Sequence, residues 1–280
     1  MQDKYSAVWV SHSSMGDFLK CPRLYYLHNV YKDPKTNHKI SIVTPHMSLG
    51  IAVHEVLEGL GEFSSHERMD RDLGVWFDEV WKKVSGTKGG FANDIEEQEF
   101  KSRGVAMLEK VKANPRFLPH KRLKLPRETM NPNFYLNDTD NIILNGLIDW
   151  IEYIPETDSL HIVDFKTGKY EEKEASLQLP IYLLLCNALQ KRKVTKASYW
   201  YLESDKIVEK ELPDTDAAYR QVLEVALKVR DARTKKIFEC PNGAAGCNNC
   251  LPYELILTKD PRTEFVGVGG FNQDMYVVRK

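Results

Sequence analysis

Apolar residues first recur at helical spacing. From Ser11 to Val30 the positions Phe18, Leu24, Tyr25 and Leu27 predict a helix, with Ser13 or Ser14 as its cap. Residues 47–63 predict a second helix, and amphipathic segments follow near Asp70–Val84 and Ile95–Ala113, parted by the Gly-rich Ser85–Gly90. The period then shortens. Asn141–Ile154 is rich in Ile, Leu, Trp and Tyr and suits a strand; Pro155-Glu156-Thr157-Asp158-Ser159 is a turn signal, and Leu160–Lys166 is a second strand. Together these predict a β-hairpin. Ser176–Leu189 returns to helix, provided Pro180 lies in its first turn. Ala197–Glu203 and Lys206–Leu212 form a further strand pair, and Asp214–Lys236 is a long helix that runs into a cysteine-rich segment. This order predicts an α/β protein with a mixed core and a helical N-terminal part.

The length and composition fit that picture. With 280 residues, 42% of them hydrophobic, the chain can bury one large core. We expect a single domain over residues 1–280, with a helical insertion at about 64–120. No apolar run reaches the ~18 residues that would span a bilayer. Met1–Val10 lacks the pattern of a signal peptide, so a cytoplasmic location is expected. The net charge of −1 requires any basic surface to be local. His120-Lys121-Arg122-Leu123-Lys124, Lys191-Arg192-Lys193 and Arg233-Thr234-Lys235-Lys236 are candidates, although each by itself reads as a solvated face. Five cysteines in a cytosolic chain argue against disulfides, and Cys240, Cys247 and Cys250 fall within eleven residues.

The chemistry concentrates in two places. The first is Gly146-Leu147-Ile148-Asp149 followed by Asp164-Phe165-Lys166. Alternation along a strand points Asp164 and Lys166 to the same side. Carboxylates among apolar strand residues are costly to bury unless they are paired or bound to a metal, and two that converge suit Mg²⁺ or Mn²⁺. A D-x-K triplet alone is equally a surface ion pair. Two helical pairs at i, i+4 join the set: His54 with Glu58, and Gln178 with Tyr182. Each pair alone is ordinary helix amphipathicity. The second place is the set Cys21, Cys240, Cys247 and Cys250, where four thiolates suit zinc and iron–sulfur clusters alike. Cys186, among leucines, reads as a buried apolar residue.

Taken in order, Gly50-x3-His54-x3-Glu58, Gly146-x2-Asp149, Asp164-x-Lys166 and Gln178-x3-Tyr182 resemble the pattern of PD-(D/E)XK nucleases in their RecB-like branch, over about residues 13–250. The resemblance implies a restriction-endonuclease-like mixed sheet flanked by helices. It implies that His54, Asp149, Asp164 and the backbone carbonyl of Phe165 hold the divalent metal, and that Asp149, Asp164 and Lys166 are catalytic. Gln178 and Tyr182 match the helix that faces DNA or supports the site. Glu58 matches a motif position but is not assigned as a ligand. The cysteines extend the likeness to AddB-type and CRISPR-associated spacer-acquisition nucleases, which implies a [4Fe-4S] cluster, with Zn²⁺ as the alternative. The order of spacings departs from the family's, because the short C-x-x-C comes last here.

The expected function is a metal-dependent DNA exonuclease or end-processing nuclease acting on DNA with a free end or a single-stranded region. One setting is CRISPR adaptation with an integrase partner. Another is recombinational repair or phage DNA processing. A helicase motor would be a separate chain, because no G-x-x-x-x-G-K-[ST] motif is present. Two readings from other classes are a non-catalytic DNA-binding scaffold on the same fold and a zinc-stabilised interaction module.

Overall fold

The computed structural model describes residues 3–126, 131–172 and 176–279. Strand β1 (Val8–Val10) leads into α1 (His12–Lys20). Its cap is Ser11, one turn earlier than expected: the Ser11 hydroxyl accepts the Ser14 N–H, and the Ser14 hydroxyl accepts the Ser11 N–H. The single helix expected over Ser11–Val30 breaks at Cys21. That residue is extended (φ −169°, ψ 118°) because Pro22 disfavours helical backbone before it. Helix α2 (Pro22–Tyr25) restarts there and runs into a π-helical turn at Tyr26–Val30.

Strand β2 (Lys39–Ile42) follows, then α3 (Pro45–Gly59), α4 (Leu73–Trp81) and α5 (Asp94–Ala113). Next come β3 (Asn133–Asn137), β4 (Ile142–Asn145), β5 (Trp150–Ile154), β6 (Ser159–Lys166), α6 (Gln178–Leu189), β7 (Lys193–Tyr201) and β8 (Lys206–Lys210). The chain ends with α7 (Thr215–Lys235), α8 (Leu251–Leu257), β9 (Thr263–Gly269) and β10 (Gln273–Val278). The N-terminal part is therefore not purely helical, since β1 and β2 lie within it. No helix among the described residues is long and apolar enough to cross a membrane.

Two compact units form. One comprises Met1–Thr44, Tyr135–Asn145 and Tyr219–Lys280, and the other Pro45–Phe134 and Gly146–Ala218. The first holds two three-stranded sheets, β1-β4-β3 and β2-β10-β9. The single strand expected over Asn141–Ile154 is in fact two, because β4 and β5 belong to different sheets.

The second unit is a mixed α/β layer of the restriction-endonuclease-like type. Its sheet has the order β5-β6-β7-β8: β5 and β6 are the antiparallel hairpin, β6 and β7 are parallel, and β7 and β8 are antiparallel. Helix α6 makes the crossover that a parallel pair requires. Pro180 is its third residue, where no intrahelical N–H is needed. One face of the sheet sends Trp150, Val163, Phe165 and Trp200 into an apolar cluster with Phe77, Met107 and Leu108 of α4 and α5. Alternation then leaves Asp164 and Lys166 on the opposite face.

The apolar face carries one buried polar chain. His161 Nδ1 lies 2.8 Å from Glu152 Oε2, and its Nε2 lies 2.8 Å from Ser198 Oγ, so β5, β6 and β7 are joined through side chains. The other Glu152 oxygen pairs with His120. Burial pushes the Glu152 carboxyl up, but His161 and His120 outweigh it and hold the group below its ordinary 4.5. A depressed carboxylate stabilises fully above its ordinary pKa, and that contribution is lost as pH falls through the depressed value. Glu152→Ala strands a buried histidine. It should lower unfolding free energy by about 1–3 kcal/mol at neutral pH in urea titrations. The gap to wild type should close in acid, and a gap independent of pH would count against this pairing.

Candidate active site and cysteine cluster

Asp149 sits where the β5–β6 ladder ends. The last paired residues are Trp150 and Val163; one step further on, the Asp149 carboxylate itself accepts the Phe165 N–H at 2.7 Å. The backbone of Phe165 is thereby fixed, and the second Asp149 oxygen is left facing His54, whose Nδ1 is 3.4 Å away. Helical spacing on α3 brings Glu58 to the same imidazole at 3.4 Å. His54, Glu58 and Asp149 can each offer a ligand atom within 4.8 Å of the others. Glu58 thus joins a group from which the motif comparison left it out.

Asp164 is 2% exposed and fully engaged. Its Oδ1 accepts from Gln178 Nε2 at 2.8 Å and from the Tyr182 hydroxyl at 3.0 Å, while Oδ2 pairs with Lys166 Nζ at 2.8 Å. Gln178 also accepts from Lys166 Nζ at 2.7 Å, and Glu172 reaches the same amine at 3.3 Å. Gln178 and Tyr182 are buried, so their placement supports the site and does not present them to a ligand. Gly146 packs close to α6, since a Cβ there would stand 3.0 Å from the Leu185 side chain.

The electrostatics describe a site short of positive charge. Burial, reinforced by the charge of Asp149, lifts Asp164 to about 7 against the pull of Lys166. Burial disfavours the charged form of His54, yet Asp149 and Glu58 outweigh it and raise the imidazole to about 10. Burial likewise opposes the Lys166 ammonium, and Asp164 and Glu172 reverse that. One imidazole and two carboxylates, with Asp149 buried and His54 and Glu58 partly open to solvent, are a donor set that suits Mn²⁺ or Mg²⁺. A divalent ion is also the charge that such a cluster lacks.

One residue that braces the site is not marked in the sequence. Arg122 lies in a basic run that looked solvated, yet its guanidinium donates to the Glu58 carbonyl at 2.8 Å and to the Asp149 carbonyl at 2.9 Å, and stacks over Trp150. It ties the end of α3 to the bend before β5. A cavity of about 190 Å³ adjoins it, lined by Glu58, Lys124, Pro132 and Ile148 among others. The only hint in the sequence is one arginine among several, and nothing marks which of them is buried. Of the other basic runs, Lys191 and Lys193 are exposed, while Arg192 pairs with Asp158 at 2.7 Å.

The four cysteines assemble in the first unit. Their sulfurs all lie within 4.8 Å of one another, and Cys21, Cys240 and Cys250 are buried. The Pro22 break puts Cys21 at the N-cap of α2, beside the free N–H groups of the new helix. The Asn242 N–H donates to the Cys240 sulfur at 3.4 Å, and the Cys247 N–H to the Cys250 sulfur at 3.2 Å. Arg23 clasps the connecting loop, bonding to the Gly243 carbonyl at 3.0 Å and to Glu254 at 2.8 Å. Cys186 lies elsewhere, buried in α6, with its thiol pushed up to about 12 by burial.

Fold and sites together define a protein built around a carboxylate–lysine cluster on a mixed sheet, with a separate thiolate site. The chain belongs to the PD-(D/E)XK nuclease superfamily, whose family model matches residues 9–253. A search of curated proteins finds no match.

Arg122→Met removes both carbonyl bonds and should weaken Mn²⁺ binding by about tenfold or more, as carboxylate and imidazole lose their relative placement. Isothermal titration with Mn²⁺ reads this directly. Unchanged affinity in a folded variant would show that Arg122 does not position the ligands.

Proposed function

We propose that this protein is a metal-dependent deoxyribonuclease that trims or processes DNA ends. The observation that carries the reading is the pairing of Asp149 with His54 and of Asp164 with Lys166 at one end of the β5–β6 hairpin, with His54, Glu58 and Asp149 at ligand spacing. His54, Asp149, Asp164 and the Phe165 carbonyl would hold Mg²⁺ or Mn²⁺, with Glu58 in reach as a further donor. The ion, when bound, supplies Lewis-acid stabilisation of the charge that develops on the phosphate. Asp149 orients His54 and the Phe165 backbone. Lys166, aimed by Asp164, Gln178 and Glu172, adds a fixed positive charge beside the reacting phosphate. Tyr182 and Gln178 keep the Asp164 carboxylate in one orientation.

The RecB-like pattern favours DNA with a free end or a single-stranded region. The roles that fit are end processing before spacer integration, with an integrase partner, or recombinational repair or phage DNA metabolism beside a separate helicase.

The test is cleavage of end-labelled single-stranded and duplex DNA with Mg²⁺, Mn²⁺ or chelator. Wild type should cut only with metal. Asp149→Ala, Asp164→Ala and Lys166→Ala should each lose at least about a hundredfold in rate, with circular dichroism confirming the fold. Wild-type rates in Asp164→Ala would reject the site, and intact DNA under every metal condition would favour the scaffold reading. Binding to DNA should weaken with salt, at a log–log slope of roughly −0.7 to −0.9 per phosphate contacted. Salt-independent affinity would exclude phosphate recognition.

A further inference from the structure

We propose that Cys21, Cys240, Cys247 and Cys250 hold a single zinc ion, and not the four-iron cluster that the family likeness implies. The argument is the size of the thiolate cage. The Cys250 sulfur is 3.8 Å from those of Cys240 and Cys247, and no pair among the four exceeds 4.8 Å. Four thiolates around one tetrahedral ion with bonds of about 2.3 Å stand about 3.8 Å apart, since the edge of a tetrahedron is about 1.6 times its centre-to-corner length. On a four-iron cube each thiolate binds its own corner iron, and the sulfurs stand roughly 6 Å apart. Two edges of the cage here match the first, and none reaches the second.

The backbone resists widening. The Cys247 N–H donates to the Cys250 sulfur at 3.2 Å, and the Cys250 N–H donates to the Cys247 carbonyl at 3.1 Å. The segment Cys247–Cys250 thus closes on itself and holds two sulfurs 3.8 Å apart. Gly246, at φ 76°, packs against it so closely that a Cβ would sit 3.3 Å from the Cys250 sulfur and 2.9 Å from Glu254. Arg23 holds the loop from the other side through the Gly243 and Ala244 carbonyls. Its own charge is met by Glu254 at 2.8 Å, so Arg23 braces the loop and does not neutralise the thiolates. Metal uptake releases the thiol protons to solvent, and no redox step is involved. Among divalent ions, an all-sulfur tetrahedron selects zinc.

The inference does not depend on the nuclease reading, and its test does not use activity. The full chain would be expressed with iron, zinc and sulfide-assembly factors all supplied, then purified without oxygen. Elemental analysis should find one zinc per chain, no acid-labile sulfide and a colourless solution. Replacing zinc with Co²⁺ should give the intense visible bands of a tetrahedral thiolate site. A brown protein with about four irons and matching sulfide per chain overturns the proposal, as does a metal-free chain or one that holds a single iron. Cys186→Ala should keep the zinc and Cys21→Ser should lose it. If Cys21→Ser fails to fold, titrating wild type with a thiol-blocking mercurial in the presence of a zinc indicator should release one zinc per four thiols blocked. Release of none overturns the proposal.

Discussion

Two carboxylates buried on one strand pair are the constraint around which the second unit is built. Asp149 and Asp164 lie within an apolar hairpin where an unpaired charge would cost several kcal/mol. Every neighbouring element supplies something to offset that cost. Helix α3 sends His54, α6 sends Gln178 and Tyr182, and the segment after β6 sends Glu172 to steady Lys166. Even the sheet contributes, because the Phe165 N–H bonds to a carboxylate where a ladder partner would otherwise stand. The opposite face of the same strands is the unit's apolar core. The period of two along β6 therefore divides labour within one strand: Val163 and Phe165 anchor, while Asp164 and Lys166 are presented.

Much of this was legible in the residues. The hairpin, the crossover helix and the convergence of Asp149 with Asp164 follow from alternation, a turn signal and an intervening helical segment. The β1 and β2 strands were not legible: at three and four residues they are too short to establish a period, and their partners lie far along the chain, in β4 and β10. The junction between β4 and β5 was hidden for another reason. Gly146-Leu147-Ile148-Asp149 is as apolar as the strands around it, so hydrophobicity continues through a change of sheet. Arg122 marks a third limit. A basic residue in a basic run carries no sign that its charge is spent on two backbone carbonyls.

Cys21 shows the reverse case, a signal that was present and under-read. Helical spacing alone carries the prediction straight through Ser11–Val30, yet Cys21-Pro22 contains its own interruption. That break does three things at once. It ends α1, it starts α2 with a residue that needs no N–H, and it sets Cys21 in extended backbone at the cap of the new helix. A continuous helix would have given Cys21 helical backbone. The proline thus sets the backbone from which Cys21 joins the other three sulfurs.

The two clusters satisfy buried charge by opposite means. Around Asp164, side chains from α6 and β6 do the stabilising, so donors such as Gln178 and Tyr182 can be exchanged for water or ligand without unfolding a segment. Around the cysteines, backbone N–H groups bond to sulfurs within short loops, with Arg23 clasping the turn. Backbone donors cannot leave without the loop changing shape, so they hold their sulfurs at fixed separations. Side-chain support suits a centre where a substrate must enter and products depart. Backbone support suits a centre that binds once and stays closed. The cysteine cluster also joins Cys21 to a segment more than two hundred residues away in sequence. Closing so long a loop restricts the unfolded chain far more than the folded one, and any ion bound there adds its affinity directly to folding. Burial of three of its four sulfurs is consistent with that structural task.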